Sequence, residues 1–376
     1  MHIGVELRQI QLGGSGGVTH LLRGLLAAAC DAHPEHDFLM FCTEHNERLF
    51  ADFPSNTRCV TLSERDYFPH MDRLCDSENI QVLFRSFPLN QLVRFPFSKQ
   101  IVMIPDLQHE TFPEFFDPAV LEARREGFNE ALAKAGAVAT ISEYARETIR
   151  RHPSTACSKI ILTPPALNID HQQEGETERA PRHEKCPSQE FFFYPANLWP
   201  HKNHRRVLRA FELFLDETGA DVAFAFTGHP DGWEELRAEF SHLPIVHLGY
   251  VEPELMHSLF QHAIALAFFS LYEGFGMPLL EAFRHGAPVL CGNVTSLPEV
   301  ASDAALTCDP TDVTAMANLM EKAWRSPEAR AQLVRAGKQR WKAYSWEKSA
   351  DVFVAACEEL AGVASQQPSS RFQLVL

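Results

Sequence analysis

No stretch of this sequence reaches the run of about 18 uncharged apolar residues that a membrane-crossing helix needs. Its opening, MHIGVELRQI, is polar and charged too early to serve as a secretory leader, so a cytoplasmic protein is expected, at most peripheral at the inner face of the membrane. The nine cysteines include no CxxC pair, which argues against disulfide stapling and against a structural zinc site. The 18 histidines include no HExxH and no sequence cluster with metal-ligand spacing, so neither a metal nor another cofactor is expected. Basic residues are in deficit, 34 Lys and Arg against 49 Asp and Glu, and a net charge of -15 speaks against nucleic acid as a partner.

What is present is the material of a two-core enzyme. A chain of 376 residues exceeds one ordinary core, and two domains of roughly 150 to 200 residues are expected. Short apolar runs recur between helix-length segments: HIGVEL, FLMFCT, CVTLS, QVLFRS, QIVMIPD, AVATIS and KIILTPP. That alternation predicts parallel strands joined by crossover helices. The period fades from Ala166 to Gln189, and the rhythm restarts with FFFYPA, DVAFAFTG, IVHLGYV, AIALAFFS, PVLCG and AALTCD. The expected division is a first Rossmann-like domain over 1–170, a linker over 171–189 and a second over 190–376, with SWEKSADVFVAACEELAG as a final helix of the second domain or one that packs back on the first.

The segment LYEGFGMPLLEAFRHGAP, residues 271–288, carries the strongest chemistry. Pro278 suits a first helical turn and Gly286 a stop, so a helix begins directly after a glycine loop. Its first N–H groups, at Gly276 and Met277, and its dipole would receive a diphosphate. Glu273 in the loop and Glu281 a turn into the helix can reach two parts of one ligand, since a carboxylate accepts two directed hydrogen bonds from a diol. In FFFYPANLWPHKNHRR, residues 191–206, Lys202 stands at a strand-to-helix junction, where its charge can stabilise a departing diphosphate. The loop GGSGG, residues 13–17, lets backbone approach a phosphate or sugar. In IVMIPDLQHETFPEFFDP, residues 101–118, Asp106 and His109 follow a strand end and are candidates for ligand contact or proton handling.

The two glutamates with seven residues between them, the GFGMP core and the downstream TSLPEVASDAALTCDP resemble the donor-site signature of the retaining GT-B glycosyltransferases called family 4. The resemblance runs from the glycine loop to the last helix. It implies two facing doubly wound domains with a cleft between them, the donor mostly on the C-terminal one, retention at the anomeric carbon, and no metal. It places Glu273 against the donor sugar and Glu281 on the ribose, and makes Lys202 the lysine of a phosphate-binding loop. Asn197, His201, Gly228, Phe275, Met277 and Pro278 join the donor set on the same ground, and Gly16 and Gly17 face the diphosphate from the N-terminal domain. Ser142 and Glu143 match a further loop at the cleft. Two positions depart from the pattern: Asn197 stands where an arginine is common, and Pro105 replaces the histidine of a His-Asp pair.

The implied activity is transfer of a hexose from a nucleoside-diphosphate sugar, GDP-mannose foremost and UDP- or dTDP-sugars also admitted, to a glycan or lipid-linked hydroxyl in polysaccharide synthesis. Two other readings stay open: a nucleotide-sugar-binding subunit without turnover, and a sugar-nucleotide epimerase on the same scaffold.

Overall fold

A computed structural model describes residues 1–10, 16–88, 93–157, 159–168 and 181–363. The chain divides into two compact units, one of Met1–Pro165 together with the chain from Ser345 onward, the other Ala166–Tyr344. The second unit thus ends earlier than the expected 376. Residues 171–180 of the expected linker lie outside the described residues, as do residues 13–15 of the GGSGG loop.

The first unit is built from β1 (His2–Glu6), α1 (Gly16–Ala32), β2 (Asp37–Cys42), β3 (Thr57–Thr61), α2 (Tyr67–Ser77), β4 (Val82–Arg85), β5 (Gln100–Met103), α3 (Gln108–Thr111), α4 (Pro118–Lys134), β6 (Ala137–Thr140), α5 (Glu143–Arg151) and β7 (Ile160–Leu162). All pairings are parallel, in the order β3-β2-β1-β4-β5-β6-β7. Strands such as VLFR and AVAT are buried along their whole length, as a parallel sheet covered on both faces requires. Helix starts follow their capping residues: Asp117 accepts from Ala119 N at 2.9 Å and Ser142 from Ala145 N at 3.1 Å.

The second unit continues with β8 (Glu190–Pro195), α6 (His204–Thr218), β9 (Val222–Thr227), α7 (Trp233–Glu239), β10 (Ile245–His247), α8 (Pro253–His262), β11 (Leu266–Phe268), α9 (Met277–His285), β12 (Val289–Gly292), α10 (Leu297–Ala301), β13 (Ala305–Cys308), α11 (Val313–Arg325) and α12 (Pro327–Arg340). Its parallel sheet runs β10-β9-β8-β11-β12-β13. Successive strands therefore move outward from β8 in one direction and from β11 in the other. The crevice at the carboxyl ends of β8 and β11 is a topological switch point, where open α/β sheets bind ligands.

The last helix, α13 (Trp346–Ala361), packs in the first unit against α1. Gly24 of α1 is the seat: a Cβ there would lie 2.3 Å from the Trp346 indole. Phe353 reaches the Phe84 ring at 4.9 Å. An amphipathic pattern shows that a helix buries one face but does not name its partner, and here the partner is more than 300 residues earlier in the chain.

Candidate functional site

In the second unit the loops that follow β8 and β11 meet through one ion pair. Lys202 Nζ donates to Glu273 Oε1 at 2.6 Å, and both side chains are largely buried, 12% and 11% exposed. The ammonium also lies 5.1 Å from the Phe268 ring centroid. Each partner is fixed from its backbone outward. The carbonyl of Lys202 accepts from the buried Tyr194 hydroxyl at 2.6 Å, and that hydroxyl touches Ser270 Oγ at 3.0 Å. Glu273 N donates to Thr295 Oγ1 at 3.1 Å, while Ser296 Oγ lies 2.9 Å from the carbonyls of both Glu273 and Phe275. Sequence reasoning assigns no role to Tyr194, Thr295 or Ser296, although the last two stand in the quoted TSLPEV; nothing in their spacing reveals which carbonyl or N–H they reach.

The turn into α6 is equally constrained. Asn203 adopts φ +62° and its side-chain amide donates to Phe269 O at 3.0 Å and Pro310 O at 2.7 Å, tying the β8 loop to those after β11 and β13. His201, beside Lys202, accepts from Leu271 N at 2.7 Å through its carbonyl. Burial, and after it the Lys202 charge, pushes its imidazole down to about 4, so the ring is neutral at physiological pH.

Asn197, at the position where an arginine is common, closes a different contact. Its Oδ1 accepts from His229 N at 2.8 Å, holding the turn after β9. Gly228 passes directly beneath at φ +129°, and a Cβ there would come 2.7 Å from the same oxygen. The side chain is therefore a brace between two loops at the strand ends.

Helix α9 starts as its sequence indicates. Gly276 precedes it at φ +107°, Pro278 occupies the first turn and Gly286 ends it at φ +74°. Phe275 is buried with its ring 5.1 Å from Tyr344. Met277 opens the helix; Pro278 has no N–H, and Leu279 N donates to Gly276 O at 2.9 Å. Glu281 is partly buried on α9, and burial pushes its carboxyl up from 4.5 to about 7. The folded state then holds a proton between pH 4.5 and about 7 that the unfolded chain has already released, so this group makes stability fall as pH rises through that window. Glu281→Gln should accordingly melt higher than the unsubstituted protein above pH 7, with the gap closing toward pH 4.5 in a calorimetric pH series; a gap independent of pH would refute the buried carboxyl.

The first-unit candidates are placed as follows. Gly16 and Gly17 open α1, and Gly17 is exposed with open space where a Cβ would stand. Asp106 Oδ1 accepts from Gln108 N at 2.9 Å. Ser142 is buried as the cap of α5, and Glu143 in its first turn pairs with Arg146 at 2.6 Å. His109 is 1% exposed, set edge-on against Phe128 at 4.5 Å, and burial pushes it down to about 4. A neutral, enclosed ring of that kind packs α3 on α4 and is unsuited to carrying protons near pH 7. Among the described residues, the one cluster of histidines and carboxylates spaced for a metal ion, His33, Glu35 and His36, belongs to the first unit and not to the β8 and β11 loops.

Residues 176–340 match the family model described as glycosyl transferases group 1. The O-antigen chain mannosyltransferase B of Escherichia coli is 31% identical over 262 residues, which span 66% of this chain and 67% of that protein. The serotype-specific mannosyltransferase WbdA of Escherichia coli is 26% identical over 274 residues, 67% of this chain but only 33% of that longer protein. Among solved structures, WaaG, a glycosyltransferase involved in lipopolysaccharide biosynthesis, aligns with a TM-score of 0.68 at 14% identity, over 96% of this chain and 100% of that one.

Proposed function

We propose, from the premise that this chain belongs to the glycosyl transferases group 1 family, that it transfers mannose from GDP-mannose to a hydroxyl of a growing surface glycan or its lipid-linked precursor, with retention at the anomeric carbon and without a metal. The chain is a hexosyltransferase of the GT-B fold. Mannose is taken from the names of both mannosyltransferase relatives, and the growing glycan chain from the O-antigen chain in the name of one of them. Among the described residues no helix is long and apolar enough to cross a membrane, which is compatible with a lipid-linked acceptor met at the surface.

The observation that carries the site reading is the Lys202–Glu273 pair at the switch point of the second sheet. Without ligand, each of these largely buried groups neutralises the other. A donor diphosphate seated against the first turn of α9 offers the ammonium a stronger partner than one carboxylate, and frees Glu273 to accept from the sugar hydroxyls. The acceptor oxygen then attacks the anomeric carbon on the face the diphosphate leaves. The bond to the phosphate oxygen breaks with its electron pair, and that oxygen takes the acceptor's proton. Lys202 stabilises the charge that develops there, which is the part of such a reaction most sensitive to a fixed cation. Glu281, one turn along α9, would accept from the ribose diol.

A thermal-shift series with GDP, UDP, dTDP and their mannose, glucose and rhamnose conjugates tests the reading, because a ligand that binds only the folded chain must raise its melting temperature. A rise with GDP and GDP-mannose, reduced in Glu281→Ala, is expected. A rise confined to UDP or dTDP compounds would overturn the donor assignment, and binding of GDP-mannose without turnover on any mannan-type acceptor would leave a binding subunit.

A further inference from the structure

We propose that His33, Glu35 and His36, completed by Glu358 of α13, form a binding site for a divalent transition-metal ion of the zinc class. The site lies in the first unit, where the turn leaving α1 meets the C-terminal helix. The three residues of the turn can each aim one ligand atom so that all lie within 4.8 Å of one another. His33 Nδ1 stands 3.5 Å from Glu35 Oε1, His36 Nε2 stands 3.7 Å from that same oxygen, and His36 Nε2 stands 3.2 Å from Glu358 Oε1. Metal bonds of about 2.0–2.1 Å to nitrogen and oxygen in a tetrahedron put neighbouring ligand atoms about 3.4 Å apart, close to these three separations, and Glu358 is drawn in through its contact with His36.

Three features favour a built site over a chance meeting of side chains. The other nitrogen of His33, Nε2, lies 3.1 Å from Asp351 Oδ1, and a carboxylate on the far nitrogen is what sets the tautomer and the aim of a metal-bound imidazole. The turn is held before any ligand arrives: Asn56 Nδ2 reaches the carbonyls of Cys30, His33 and His36 at 2.9, 3.3 and 3.0 Å. His36 is 5% exposed, so its ring has little freedom. Two imidazoles with carboxylates suit zinc and its neighbours in the transition series, whereas magnesium and calcium take oxygen shells. Asp351 and Glu358 are seven residues apart, two helical turns, which sets both on the side of α13 that meets this turn. An ion here would clasp α13 to α1.

The test uses the full chain, stripped with EDTA, dialysed, and titrated with zinc chloride against a chromophoric competitor. One tight zinc per chain is expected, unaffected by excess magnesium, with a rise in melting temperature. Cobalt(II) in place of zinc should give the visible bands of a tetrahedral complex. The double variant His33→Asn/His36→Gln should bind at least about 100-fold more weakly, and Glu358→Gln about 10-fold. Because His36 is buried and its loss can weaken the fold, Glu35→Gln, at a position whose side chain is 59% exposed, carries the test independently and should also lose about 10-fold. Failure to bind stoichiometric zinc, or undiminished binding by Glu35→Gln and the double variant, would overturn the proposal and leave the cluster as ion pairs that fasten α13 alone.

Discussion

Lys202→Ala should lower kcat/KM for the nucleotide-sugar donor by about 100-fold or more, the scale on which removing one preorganised charge from a developing oxyanion acts. The loss should fall mainly on kcat, because the ammonium does most when the glycosidic oxygen gains its charge. Glu273→Ala should lose a similar factor through the sugar it no longer positions. The two effects should not multiply. In the free protein the side chains form one pair at 2.6 Å, each close to nine-tenths buried, so removing either leaves the other as a lone, largely buried charge. The double variant is therefore expected to be less impaired than the product of the single losses, and more stable than at least one single variant. Kinetics of the three variants, at a temperature where circular dichroism shows each folded, decide the matter. Rates near the unsubstituted level for both single variants would remove the pair from the reaction.

That pair also marks the boundary of what sequence alone discloses. Strand runs such as FFFYP and VAFAF are apolar throughout, as a sheet covered on both faces requires, so the doubly wound architecture is legible in the residue pattern itself. The start of α9 is legible for a similar reason, since Pro278 and Gly286 each have few places to stand. The contact between Lys202 and Glu273 joins loops 71 residues apart and depends on β8 lying beside β11, which no local pattern encodes. The helper groups Tyr194, Thr295 and Ser296 act through hydroxyls whose partners are backbone atoms of other loops. His109 shows the converse: a residue type suited to proton transfer, at a strand end suited to a site, is spent on packing against Phe128. Asn197, which the motif presents as a missing arginine, braces the β9 turn instead. The HPEH turn carries no helical metal spacing, and its carboxylate partners arrive from α13, more than 310 residues later.

The glycine before α9 offers the sharpest separation of site geometry from fold. Gly276 sits at φ +107°, a region L-residues rarely enter, and a Cβ there would approach Leu297 Cδ2 at 2.8 Å. The leucine end can turn aside, so the main penalty of Gly276→Ala is backbone strain of about 1–3 kcal/mol. The chain can relieve that strain only by rotating the loop that carries Glu273 and the first N–H groups of α9. A displacement of about 1 Å in such positioning groups can lower a rate by about 100-fold, and a loss of that order in kcat/KM is expected. Gly286→Ala at the far end of the same helix is the control. It stands at φ +74° with its nearest neighbour, Val334 Cγ1, 3.8 Å from the added Cβ, so it bears a comparable backbone penalty far from the loop. Both variants should melt a few degrees lower, by about 2–4 °C per kcal/mol in a unit of this size. Only Gly276→Ala should lose turnover. Equal activity losses in the two would mean that the rate follows overall stability, and that the conformation before α9 is not what aims the donor.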